Sequence, residues 1–161
     1  MAKRTRPLVD WSQVCSFDDD ERATLALLTP GDWVVPKREP TNAADKNAVY
    51  LTDQQGRPLG YLSRGVAKSL APLMDSGWWT YGLMSQVEIG PDGRGDDGSA
   101  IVFCYDPKDD KQVRKAMTEI AEQVRKDMAK VHYIAFPVQG SGAYGLPVRI
   151  SGYAEPAYKR G

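Results

Sequence analysis

Between Val34 and Asp75 two short apolar runs flank a dense polar stretch and lead into a helical pattern, and this order constrains the fold more than any other feature of the chain. The stretch reads Val-Val-Pro-Lys-Arg-Glu-Pro-Thr-Asn-Ala-Ala-Asp-Lys-Asn-Ala-Val-Tyr-Leu and resumes after a turn as Leu-Gly-Tyr-Leu-Ser-Arg. Asp32 to Lys37 reads as a strand with Trp33 and Val35 on one face. Pro36 cannot donate to a ladder, which puts that strand at an edge or near its own end. Asn47 to Thr52 and Arg57 to Leu62 form a hairpin around Asp53-Gln54-Gln55-Gly56. Beyond Ser63, a good N-cap, Val66, Leu70, Leu73 and Met74 recur at helical spacing until Gly77 stops the helix.

The flanks extend this pattern. Met1 to Gln13, with Lys3, Arg4, Arg6 and Trp11, reads as a flexible basic arm, since chain ends are ordered only where something ties them down. Asp18-Asp19-Asp20-Glu21 precedes Leu25, Leu27 and Leu28, as acids do in the first turn of a short helix, and Thr29-Pro30-Gly31 ends it. Trp78 to Ile89 and Ala100 to Tyr105 read as strands across a flexible Gly/Asp loop, Gly90 to Ser99; two such strands fit the far side of a small barrel. From Asp106 to about His132 a second long helix shows a stripe of Val113, Met117, Ile120, Val124, Met128 and Val131, its other face charged. In the Gly/Pro/aromatic-rich tail only Leu146 to Ser151 reads as a strand. The expected fold is α+β and mainly β: a small OB-like barrel over 14–106, two flanking helices, and a C-terminal extension over 107–161.

Composition removes several classes of function. The 161 residues carry 21 cationic and 21 acidic side chains, so the whole molecule is not a polycation drawn to nucleic acid from a distance, and any such contact is local. Cys15, Cys104 and the single histidine, His132, are too few for a structural zinc site. No apolar run approaches a membrane span, and the basic start leads into no signal-peptide core, so a cytoplasmic setting is expected. A histidine triad lacks partners for His132. Gly140 to Gly145 lacks the strand, lysine and helix of a phosphate-cradling loop, and Gly93-Arg94-Gly95-Asp96-Asp97 is ordinary loop composition. A metal-dependent hydrolase would have only Asp92, Asp96 and Asp97 to draw on. No catalytic residue and no cofactor is expected.

What remains is a cluster of Lys37, Arg38, Asn42, Lys46, Asn47 and Arg64 around one hairpin, with Asp45 among them. Cations and amides hold phosphate and sugar oxygens. A carboxylate in that company repels a phosphate backbone but suits a hydroxyl donor such as a strand terminus. The alternative is structural: Asp45 and Asn47 cap a tight turn while Arg38 pairs with Glu39 or Asp45.

Arg38-Glu39-Pro40, Asn42, Asp45-Lys46-Asn47-Ala48-Val49, Leu59-Gly60-Tyr61, Arg64 and the helix to Asp75 closely resemble the HIRAN domain, found in replication-fork-remodelling helicases and as stand-alone bacterial and phage proteins. The resemblance is strong over Asp32 to Asp75 and extends toward Tyr105. It implies a barrel related to the OB-fold that binds single-stranded DNA and, in the fork remodellers, its free 3′ end. It implies further that Asp45 accepts from the terminal hydroxyl, Asn42 contacts the terminal nucleotide and Arg64 holds a phosphate, with Arg38, Lys46 and Tyr61 completing the site. One position departs: the aromatic residue that stacks on a base between the Asn and the Asp of end-binding members is Ala44 here. Base stacking is worth roughly 1–3 kcal/mol, so this favours general strand binding over faithful end recognition. The expected function is therefore a non-enzymatic single-stranded DNA-binding module of repair, replication or mobile-element biology. Its alternative is a protein-interaction or structural component that kept the barrel, with the C-terminal tail as a protein contact.

Overall fold

The computed structural model describes residues 6–130 and 150–151. Six strands form the barrel: β1 (Leu8–Cys15), β2 (Trp33–Arg38), β3 (Val49–Thr52), β4 (Pro58–Leu62), β5 (Trp79–Ile89) and β6 (Gly95–Tyr105). Three helices flank them, α1 (Asp19–Ala26), α2 (Arg64–Asp75) and α3 (Asp110–Lys130), the last entered through a 3-10 turn at Pro107–Asp109. The strands run in the spatial order β4-β3-β2-β5-β6-β1, and an added β1–β4 pairing closes the ring. Every barrel pairing is antiparallel. A two-residue strand, β7 (Ile150–Ser151), adds in parallel to β1 at Val9 and Asp10. The expected mainly-β barrel is present, with its two flanking helices α1 and α2 and, as α3, the helix expected in the C-terminal extension.

Period-two alternation divides the apolar residues between two cores. On β6, Ala100, Val102 and Cys104 face the barrel interior, where Val34, Val49, Leu51, Leu59 and Met84 meet them. Their neighbours Ile101, Phe103 and Tyr105 face outward under α3, against Val113, Met117, Ile120 and Val124. A strand covered on both faces carries no polar alternation, so Ser99 to Tyr105 reads as one continuous buried run. Leu25 of α1 and Val66, Ala67 and Leu70 of α2 join the interior cluster, so both short helices are held by the barrel they cover.

Two expectations are corrected. Residues 8–13, expected to lie in a loose arm, form most of β1 and pair with β6 from Leu8↔Cys104 to Gln13↔Ser99. Val9 and Trp11 pack in the outer core, and Val14 reaches the inner one. Asp10 and Ser12 are buried polar residues, so β1 lacks the continuous apolar run that would mark a strand covered on both faces. The loop expected over 90–99 is a strand from Gly95 onward. Gly95 and Gly98 lie directly beneath Leu25, where an added Cβ would come within 2.6 Å and 2.8 Å of that side chain. These glycines serve close helix-on-strand packing. Only the tip around Gly93, at φ +80°, is a turn.

The remaining elements stand close to where the pattern puts them. Asp18 caps α1 in a full capping box with Glu21, and Ser63 caps α2. In the β3–β4 turn, Asp53 is almost fully buried and accepts from the backbone N–H groups of Gln55 and Arg57 and from the Arg57 side chain. Met128 and Val131 of the expected helical stripe, and the tail strand before Ile150, fall outside the described side chains and residues.

Two outcomes follow for stability. Gly60 sits at φ +146° where β4 meets β1, and a Cβ there would overlap the Cys15 carbonyl oxygen. Gly60→Ala therefore combines backbone strain with overpacking and is expected to lower unfolding free energy by about 2–4 kcal/mol in a urea titration. Burial opposes ionisation of Asp53, but the hydrogen bonds from Arg57 and Gln55 outweigh it and hold the carboxyl below its ordinary 3.8. A lowered folded-state pKa gives stability that is present above the ordinary value and lost as pH falls through the folded one. Thermal melts of Asp53→Asn should accordingly fall below the unaltered protein at pH 7 and converge toward it in acid.

Candidate nucleic-acid interface

Barrel closure creates the site. The pairs Val14↔Leu62 and Cys15↔Tyr61 carry the end of β1 alongside the end of β4, so the residues after β1 emerge beside the start of α2. Two serines fix this junction: Ser12 Oγ accepts from the Ser63 backbone N–H at 2.9 Å, and Ser16 Oγ donates to the Leu59 carbonyl at 2.5 Å. Between the two elements opens a cavity of about 310 Å³. One wall is Cys15 and Phe17, another Tyr61 to Arg64, and the third the β2–β3 loop through Asn42, Ala44, Asp45 and Ala48.

That loop is built from its own polar side chains. Asn42 Oδ1 accepts from the N–H groups of Ala44 and Asp45 at 2.9 and 3.0 Å, a local side-chain turn that suits Asn. Its amide nitrogen donates to Glu39 Oε1 at 3.0 Å and to the Tyr61 hydroxyl at 3.3 Å. Tyr61 in turn donates to Glu39 Oε1 at 2.7 Å. That bond, together with burial, pushes its pKa up to about 12. Asp45 Oδ1 accepts from the Asn47 N–H at 2.9 Å, so the turn-capping reading of Asp45 is correct as far as this oxygen goes. The other carboxylate oxygen has no hydrogen-bond partner among the described residues, and Asp45 lines the cavity.

Behind the cavity Tyr50 meets Tyr61 edge-on, ring centroids 4.7 Å apart. Tyr50 donates to Glu21 Oε2 at 2.5 Å. Burial first, and that bond second, raise its pKa and keep the phenol neutral. Burial, aided by the charge of Asp97, also pushes the Cys15 thiol up, which makes it a poor nucleophile despite its place in the wall.

Of the six residues singled out in the sequence, the structure gathers Asn42, Asp45, Tyr61 and Arg64 at one cavity. Lys46 is exposed beside Asp45 but is not part of the lining. Arg38 is elsewhere. Its guanidinium holds both oxygens of Asp75 at 2.9 and 3.2 Å and the Ala48 carbonyl at 2.9 Å. It borders a second hollow of about 390 Å³ with Pro36, Met74 and Trp78 to Tyr81. Arg38 thus brackets the loop to the end of α2, and its partner is neither Glu39 nor Asp45.

Sequence reasoning missed Phe17. The residue is 74% exposed although it borders the cavity. The available signal was positional: Phe17 precedes the N-cap Asp18, where an apolar residue ordinarily staples onto the fourth helical residue, but that residue is Arg22. An aromatic ring at a staple position with no apolar partner is free for another use.

Comparison with known proteins places the domain. The HIRAN domain model matches residues 19–95. Over 55 residues the chain is 34% identical to the helicase-like transcription factor of rabbit, Oryctolagus cuniculus, a stretch covering 34% of this chain and 6% of that protein. A solved protein from Lactobacillus plantarum shares 28% identity at a TM-score of 0.53, covering 61% of this chain and 94% of that one. The HIRAN domain of human HLTF aligns at 20% identity and a TM-score of 0.44, over 63% of this chain and 83% of that one. Residues 19–95, just under half of the chain, thus carry the sequence pattern of the HIRAN domain.

Proposed function

We propose that this chain is a non-enzymatic DNA-binding module that seats the end of a single strand in the 310 Å³ cavity. The observation that carries this reading is a subtraction. Both ends of the Asn42 amide and the Tyr61 hydroxyl are spent inside the protein, and Ser63 Oγ is spent as the cap of α2. Three groups are left for a ligand: the Arg64 guanidinium at the positive end of α2, the open oxygen of Asp45, and the face of Phe17 beside the small side chains of Ala44 and Ala48. A cation, an acceptor and an aromatic face match the phosphate, hydroxyl and base of one nucleotide.

DNA enters as the polymer through the family: the HIRAN domain of human HLTF has been solved in its DNA-bound conformation. Three features of this site refine the reading. With Arg64 and Asp45 assigned to phosphate and hydroxyl, the other polar side chains of the lining, Asn42, Tyr61 and Ser63, are committed within the protein and do not read a base edge, which favours sequence-independent binding. Phe17 offers the stacking surface that Ala44 does not, one platform worth roughly 1–3 kcal/mol. Asp45 favours a terminal hydroxyl, which can donate to it, over a terminal phosphate, which it repels. Exposed Lys46 lies beside the mouth, where it would meet phosphates of the strand as it leaves. A module of this kind would act in repair, replication or mobile-element biology by recruiting or protecting ends.

A second reading, protein contact, draws on the other hollow. Trp79 is 42% exposed there, and Arg38 is neutralised by Asp75, so the surface is aromatic without a free cation. DNA titrations at low salt separate the two readings, because phosphate contacts weaken steeply as salt rises.

The DNA reading predicts that labelled single strands ending in a 3′ hydroxyl bind about ten- to a hundredfold tighter than the same strands ending in a 3′ phosphate, the scale of one hydrogen bond to a charged group. Asp45→Ala should erase that difference; equal affinities for the unaltered protein would remove end recognition. Arg64→Ala should weaken both strands alike and lower the salt slope by about one unit. Failure to bind any strand at low salt would leave protein contact as the better account.

A further inference from the structure

Glu21 is buried, 5% exposed, although it belongs to an acidic run on a helix. Its two carboxylate oxygens have different tasks. Oε1 accepts from the Phe17 N–H at 2.8 Å and the Asp18 N–H at 3.2 Å, while Oε2 accepts from the Tyr50 hydroxyl at 2.5 Å. A capping box needs only the Asp18 contact and the return bond from Glu21 N–H to Asp18 Oδ1. The bond to Phe17 is additional, and it is the shorter of the two that Oε1 makes.

The geometry has a consequence for the cavity. Phe17 is anchored by no apolar staple partner, and its ring is largely in solvent. Its backbone is tied instead to a carboxylate that β3 fixes through Tyr50, and Tyr50 packs against the cavity residue Tyr61. Barrel, helix cap and aromatic wall therefore meet at one side chain. We infer that Glu21 is a positioning residue of the nucleotide cavity: it holds Phe17 in place as a ready stacking face, so that binding a base does not have to order it. The inference rests on the DNA reading above and assigns Glu21 no contact with the ligand.

Asp18 supplies the control. Asp18→Ala breaks the other half of the capping box and weakens α1 without removing the acceptor of the Phe17 N–H. A merely structural role for Glu21 would make its loss of affinity independent of the Phe17 ring and would give Asp18→Ala a comparable loss of binding. The test measures melting midpoints and affinity for a short 3′-hydroxyl single strand in the full chain, well below each midpoint. Variants are Glu21→Ala, Glu21→Met, Glu21→Gln, Asp18→Ala, and each Glu21 variant combined with Phe17→Ala. Glu21→Met keeps side-chain volume without accepting a hydrogen bond, and stands in if the alanine variant does not fold.

Glu21→Ala and Glu21→Met are expected to lower affinity about fivefold, a fraction of a full stacking platform. Glu21→Gln, which keeps one acceptor oxygen, should recover most of that loss, and Asp18→Ala should bind within about twofold of the unaltered protein, since its loss of capping leaves the stacking face anchored. Once Phe17 is alanine, the Glu21 substitutions should cost no further affinity. Equal losses from Asp18→Ala and Glu21→Ala, or a Glu21 effect that persists without the Phe17 ring, would overturn the positioning role while leaving DNA binding intact. An unaltered chain that binds no strand would overturn both.

Discussion

The site depends on the contact that closes the barrel. β1 reaches β4 only at Val14↔Leu62 and Cys15↔Tyr61, and the strands come that close because Gly60 presents no Cβ to the Cys15 carbonyl. That short seam puts the exit of β1 beside the entrance of α2. Phe17 and Arg64, far apart in sequence, thus come to line one cavity. The glycine of Leu59-Gly60-Tyr61 is the backbone condition for having a site at all.

Around this seam most polar side chains hold the protein together rather than face a ligand. Glu39 collects donors from Asn42 and Tyr61, Glu21 from Tyr50 and Phe17, and Asp75 from Arg38. Burial and the Glu21 bond at Tyr50, and the Glu39 bond and burial at Tyr61, raise the tyrosine pKa values, so neutral phenols and not further charges meet these carboxylates. The dense polar stretch between the strands is thus mainly the scaffold of an irregular loop. A loop of this kind must satisfy its own backbone, because no ladder does it. Division of labour within one carboxylate, as at Asp45, gives the loop one oxygen and leaves the other for a ligand.

Legibility in the sequence followed the length scale of the interactions. α2, the β3–β4 hairpin and the stripe of α3 were readable because caps, turns and helical spacing act over a few residues. β1 was not, because buried Asp10 and Ser12 break up the apolar run of a doubly covered strand and its partner β6 lies some ninety residues away in the chain. Gly95 and Gly98 looked like loop residues because their reason for being glycine is Leu25 of a distant helix. Asn42, Asp45, Tyr61 and Arg64, singled out from one motif, line one cavity. The partner of Arg38 and the place of Phe17 depend on tertiary closure, which no local pattern encodes.

The central claim is that closure makes a nucleotide seat between the end of β1, the β2–β3 loop and the start of α2. Backbone amide chemical-shift mapping with a short 3′-hydroxyl single strand tests it most directly. The account predicts perturbations concentrated at Cys15 to Phe17, Asn42 to Ala48 and Tyr61 to Gly65. Shifts confined to Trp78 to Tyr81 around the second hollow, or none at saturating strand, would contradict it.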